Sequence, residues 1–70
     1  MADYTHHALA RLKERKITKK DVATALRHGT QEDTSGGLRK ATHRNQRGTL
    51  TVIYNIKSAK RIGVITAYWT

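Results

Sequence analysis

Residues 18–29 read Thr18-Lys19-Lys20-Asp21-Val22-Ala23-Thr24-Ala25-Leu26-Arg27-His28-Gly29, and they decide the fold because both ends of a helix are written into them. Thr18 and Asp21 form the pattern of a capping box: the hydroxyl bonds the backbone of the first turn, and the acid sits near the positive end of the helix dipole. Val22, Ala23, Ala25 and Leu26 supply a core-facing side. Arg27 and His28 suit the negative end, and Gly29 is expected as a left-handed cap. Beyond Gly29 the apolar period changes from helical to alternating.

Working toward the N-terminus, good helix formers run from Thr5 to Lys16, with Thr5 as N-cap, Ala8, Leu9 and Leu12 as an apolar stripe, and Ile17 as a packing anchor between the helices. Working toward the C-terminus, Leu38 to Arg44 reads as a strand and Asn45 to Gly48 as a turn. Thr49 to Ile56 is β-branched and aromatic with alternating Leu50, Val52, Tyr54 and Ile56, and Arg61 to Thr70 follows a polar turn. Thr30 to Asp33 offers a further edge strand. The expected class is α+β: two N-terminal helices packed on one face of an antiparallel sheet of three to four strands, in a single domain spanning 1–70. A symmetric Lys57–Lys60 loop pairs Ile56 with Arg61 and sets Leu50, Val52 and Tyr54 opposite Ala67, Ile65 and Gly63. Thr66 and Tyr68 then share the other face with Thr49 and Thr51, although a one-residue slip would exchange the faces of the last strand.

Fourteen Lys and Arg against five Asp and Glu leave a net charge of +9 on 70 residues, which points to a polyanionic partner. Basic residues recur in both halves and form no single polybasic amphipathic helix, which argues against a membrane surface. With no cysteine there is neither a disulfide framework nor a thiolate metal site. No apolar run approaches a membrane span, and no secretion signal is evident at the N-terminus.

Three groups of residues carry chemistry. His7, Arg11 and Arg15, spaced i, i+4, i+8, fall within an arc of roughly 80° that borders the buried face of the first helix. The plain alternative is that the arginines pair with Glu14 or lay their stems on the surface. Arg39, Lys40, His43 and Arg44, with Arg47, make a dense basic patch suited to RNA phosphates, or else a charged edge strand that resists sheet-to-sheet association. Thr66 and Tyr68 are hydroxyl groups on one strand face, or ordinary strand formers. His6 and His7 point apart on a helix and lack a carboxylate cluster, so neither a metal nor any other cofactor is expected. His28 is expected to be a helix-end residue.

The run from His7 through Arg11, Arg15 and Ile17 to Val22, with Leu26 and Gly29, resembles a domain-of-unknown-function family (number 4258) that opens with the pattern H-x3-R-x3-R-x-I. Gly63 to Tyr68 resembles that family's closing strand. Such domains are similar to RelE-like and barnase-like toxin ribonucleases. The resemblance implies metal-independent RNA cleavage, an antitoxin or immunity protein as partner, and a cytoplasmic site of action. It favours His7, Arg11, Arg15, Thr66 and Tyr68 as the catalytic set. His7 would serve as base or acid, Arg11 and Arg15 would hold the phosphate, and Tyr68 helped by Thr66 would act as donor or positioner. Two rivals use the same residues: a non-catalytic RNA- or DNA-binding module stacking bases on Tyr68 or Trp69, and a protein-interaction partner in a toxin–antitoxin system with Trp69 at its interface.

Overall fold

The computed structural model describes residues 2–59 and 61–70. In chain order it contains β1 (Ala2–Tyr4), α1 (His6–Glu14), α2 (Lys19–His28), β2 (Thr30–Asp33), a short 3-10 turn (Ser35–Gly37), β3 (Arg39–Asn45), β4 (Gly48–Ser58) and β5 (Arg61–Trp69). The strands form one five-stranded sheet in the order β1-β5-β4-β3-β2. The α+β class holds. The expectation of three to four strictly antiparallel strands does not, because β1 joins parallel to β5, pairing Ala2, Asp3 and Tyr4 with Ile62, Gly63 and Val64. Three residues without an alternating pattern give no local strand signal. Their pairing is made entirely by a partner at the far end of the chain.

Both helices end where local chemistry stops them. Thr5 Oγ1 accepts the Ala8 amide at 2.9 Å and opens α1. At its other end the Ile17 amide donates to the Leu12 carbonyl at 2.8 Å and the Lys16 amide to that of Lys13 at 3.3 Å, the paired bonds of a Schellman motif. The left-handed residue in that motif is Lys16, at φ 57°. In α2 the capping box is complete, with Asp21 N to Thr18 Oγ1 and Thr18 N to Asp21 Oδ2 both at 3.0 Å. Gly29 is not the left-handed cap expected of it: its backbone is extended at φ −78°, ψ 168°. Glycine is required there by close approach, since a Cβ would strike the Ala25 carbonyl oxygen and lie 2.7 Å from that of Thr42.

Alternation along the strands divides the sheet into two faces. The helix-covered face carries Ala41, Leu50, Val52, Tyr54, Val64 and Ala67, which form the core with Ala8, Leu12, Ile17, Val22 and Ala25 of the helical layer. Cross-strand pairing on the other face sets Thr30, Thr42, Thr51 and Tyr68 in a row, beside a second row of Glu32, Lys40, Ile53 and Thr66. The β4–β5 register corrects the symmetric-loop expectation. Ile56 pairs with Ile62 and Tyr54 with Val64, one position beyond expectation, because the ladder begins at Ser58–Arg61 and shifts between Ser58 and Ile56. Val52 pairs with Ala67 and Leu50 with Trp69, one position further, because a bulge after Ile53 inserts Ile65 into β5. Thr66 and Tyr68 stay on the face assigned to them, while Val64 and Ile62 turn to the core side and Gly63 turns away from it. Among the described residues no helix is long and apolar enough to cross a membrane, which leaves β-strand crossing untouched.

Candidate functional site

The β1 strand covers β5 only as far as Val64, so the outer edge of residues 65–69 has no strand neighbour among the described residues. The Thr70 amide donates to the Thr49 carbonyl on β4, which by alternation turns the Ala67 carbonyl toward that free edge. Helix α1 packs along β5, and Arg15 Nη1 donates to the Ala67 carbonyl at 2.8 Å. In return Trp69 Nε1 donates to the Arg15 carbonyl at 3.0 Å. Arg15 is therefore a seam between helix and strand. Its hold ties the C-terminal end of α1 to the stretch of β5 that carries Thr66 and Tyr68.

The other members of the stripe are more open. Arg11 Nη1 lies 3.1 Å from Glu14 Oε1, an exposed pair one helical turn apart, so the plain alternative weighed for this arginine is realised. His7 is exposed in the first turn of α1 and has no hydrogen-bond partner among the described residues. Thr66 and Tyr68 project to the helix-free face, where Tyr68 lies across from Thr51. Thr51, on that face between Thr42 and Tyr68, is 4% exposed. Of the catalytic candidates, only Arg15 is bonded to β5: the rest of the stripe stays on the helical layer, while Thr66 and Tyr68 lie on the opposite face of the sheet.

The basic patch of β3 is not one surface. Arg39 and His43 alternate onto the helix side, paired with Tyr54 and Leu50, whereas Lys40 and Arg44 face the open side beside Ile53 and Thr49. Arg39 Nε is 3.0 Å from Asp33 Oδ1, within ion-pair reach but without the angle of a hydrogen bond. Lys40 Nζ is 3.4 Å from Glu32 Oε2. Arg47 is the most committed of the set. It donates to the Lys16 carbonyl, pairs with Asp21 at 3.2 Å, and its guanidinium stacks 4.7 Å from the centre of the Trp69 ring. Sequence reasoning placed Arg47 on phosphate and Trp69 at an interface or under a base. Instead the two lock the β3–β4 turn to the junction of α1 and α2, contacts that only tertiary structure reveals.

Two carboxylates are held below their ordinary range. The Asp21 carboxylate accepts the Thr18 amide, its hydroxyl and Arg47, and the amide bond is the main cause of the downward shift. Asp3 is lowered chiefly by its bond to Arg61, at 2.7 Å, with Lys57 at 3.6 Å adding to it. Burial raises the Tyr4 phenol. Among the described residues no three His, Asp or Glu side chains gather where they could hold a metal ion.

A model of the family described as Domain of unknown function (DUF4258) matches residues 4–69. The chain belongs to that family, whose match takes in every element from the end of β1 to the end of β5. No curated protein and no solved structure matches it.

Proposed function

We propose that this chain is an RNA-binding, toxin-type ribonuclease that cleaves without a metal ion at the edge where α1 runs along β5. The observation that supports this best is the Arg15–Ala67 bond, which ties the end of the helix bearing His7 and Arg11 to the strand bearing Thr66 and Tyr68. In the reaction, the 2′-hydroxyl attacks phosphorus and the 5′-oxygen departs, leaving a 2′,3′-cyclic phosphate and a 5′-hydroxyl. One proton leaves the 2′-oxygen and one reaches the 5′-oxygen. His7, exposed and unbonded, takes or supplies one of them, and the Tyr68 hydroxyl, positioned with Thr66, serves the other side. Arg11 offers its charge to the phosphoryl oxygens by leaving Glu14, an exchange that costs little because an exposed ion pair contributes at most about 1 kcal/mol. Arg15 acts as a positioning residue. Similarity to RelE-like and barnase-like ribonucleases supplies the reaction class, together with an antitoxin or immunity protein as partner and a cytoplasmic site of action.

A second reading, a non-catalytic RNA-binding module, draws on the same geometry. Arg11 and Arg15 are both engaged within the protein, and the strand hydroxyls face away from the helices. Incubation with total RNA and tRNA, with and without chelator, separates the two. Cleavage that survives chelation and leaves cyclic phosphate ends supports the enzyme, and binding without cleavage supports the module. Activity that requires added magnesium contradicts the metal-free mechanism.

A further inference from the structure

All five acids of the chain are already paired: Asp3 with Arg61 and Lys57, Glu14 with Arg11, Asp21 with Arg47, Glu32 with Lys40, and Asp33 with Arg39. The pairs neutralise most of β3 and the ends of β4 and β5. The surplus charge that remains lies mainly on the helical layer. Lys13, Lys16, Lys20 and Arg27 are exposed and have no acidic partner among the described residues. Lys20 and Arg27, seven residues apart, return to nearly the same line on the solvent side of α2, roughly 10 Å apart along its axis. Lys13 stands roughly 160° around α1 from Arg15, so this surface is distinct from the edge that meets β5.

We infer that the exposed cations Lys13, Lys16 and Lys20, at the corner where α1 gives way to α2, together with Arg27 further along α2, make the surface on which the phosphate backbone of RNA binds, in place of the β3 patch. This rests on the RNA-binding reading above and assigns its location. Three observations carry it. Uncompensated cations repel one another and weaken the fold, and a polyanion relieves that repulsion. Lys16 holds a left-handed backbone at φ 57°, which glycine adopts without the steric cost borne by other residues, so folding alone does not favour a lysine there. The surface also lacks the apolar centre of a protein interface: among the described residues the large exposed apolar side chains are Leu9, a single residue one turn before Lys13, and Ile56 on the sheet. Lysine is depleted in protein interfaces, whereas nucleic-acid interfaces are polar and positively charged. At the start of α2 the Asp21 amide donates to Thr18 and the Thr18 amide to Asp21, and the site assigned here consists of side chains. Mobile lysine charges follow a backbone without reading sequence.

The test compares two variants with equal loss of charge. Lys13→Gln/Lys20→Gln/Arg27→Gln alters the corner, and Lys40→Gln/Arg44→Gln/Lys57→Gln alters the open sheet face. Binding of a labelled single-stranded oligouridylate is followed by anisotropy across a salt series, with circular dichroism confirming that both variants are folded. The corner variant is expected to lower the log-log salt slope by roughly 2, at about 0.7 per lost phosphate contact, while the sheet variant changes it little. A larger loss in the sheet variant overturns the location and leaves the RNA reading standing. If the parent protein binds no oligouridylate, the RNA reading itself fails. A polyglutamate peptide that displaces the RNA at equal charge concentration overturns the inference in favour of an acidic protein partner.

Discussion

Arg15 and Trp69 fasten helix to strand reciprocally: the indole donates to the arginine's own carbonyl at 3.0 Å, while the guanidinium donates to Ala67, two residues before the tryptophan, at 2.8 Å. Arg15→Ala removes a charged hydrogen bond and leaves the Ala67 carbonyl without its donor, for an expected loss of about 1.5 kcal/mol. Trp69→Phe keeps most of the ring and loses the indole bond, for about 1 kcal/mol. Because both changes open one seam, their combined effect departs from the sum. Urea unfolding followed by circular dichroism measures all three. Unchanged stability in Arg15→Ala shows that the seam does not hold the fold.

Gly29 separates two explanations of a helix-terminal glycine. If positive φ were the reason, asparagine would substitute tolerably. Here the backbone is extended and the obstacles are the carbonyl oxygens of Ala25 and Thr42, which cannot rotate away. Gly29→Ala and Gly29→Asn are therefore expected to destabilise alike, by about 1–3 kcal/mol, as overpacking does. A thermal melt in which Gly29→Asn is well tolerated contradicts the close-approach account.

Lys16 behaves in the opposite way. Replacing it with glycine removes the left-handed penalty, and Lys16→Gly is expected to raise stability by about 0.5–1 kcal/mol. The carbonyl that Arg47 uses is retained, so the clasp survives. A lower melting temperature in this variant rules out the strain assigned to this position.

Asp21 gives the fold a defined acid response. Its carboxyl is lowered from the ordinary value of 3.8, first by the Thr18 amide and then by the hydroxyl and Arg47. A depressed folded-state value means that the stabilisation is complete above the unfolded value and is lost as pH falls through the folded one. Stability therefore drops below about pH 4 by an amount that Asp21→Asn removes. Denaturant midpoints across pH 2–7 read this directly. An acid limb of equal depth in Asp21→Asn assigns the loss to other carboxylates.

The legible parts of the chain were those whose cause is local. Thr5, Thr18 and Asp21 mark their helix ends because capping bonds span only three residues, and the apolar alternation of β4 exposes its core face. β1 was illegible because it becomes a strand only by pairing with residues about 60 positions away. The register shifts at Ile65 and between Ile56 and Ser58 were illegible because they depend on the fit of two strands, and together they displaced every expected pair of that hairpin. For the site, His7 lies exposed where a position bordering the buried face was expected, while Arg15 and Arg47 find partners in distant segments. An arginine in a basic stripe and an arginine in a tertiary clasp look identical until the partner is seen.

The most direct test of the ribonuclease account is His7→Ala, assayed on labelled RNA in the presence of chelator alongside the parent protein. His7 lies in the first turn of α1, is exposed, and lacks a hydrogen-bond partner among the described residues, so its removal leaves the fold and the phosphate contacts in place. The account predicts that the parent yields 2′,3′-cyclic phosphate ends and that His7→Ala cleaves about 10²- to 10⁴-fold more slowly at nearly unchanged RNA affinity. Cleavage by His7→Ala at the parent's rate, or a parent that binds RNA and never cuts it, contradicts the account.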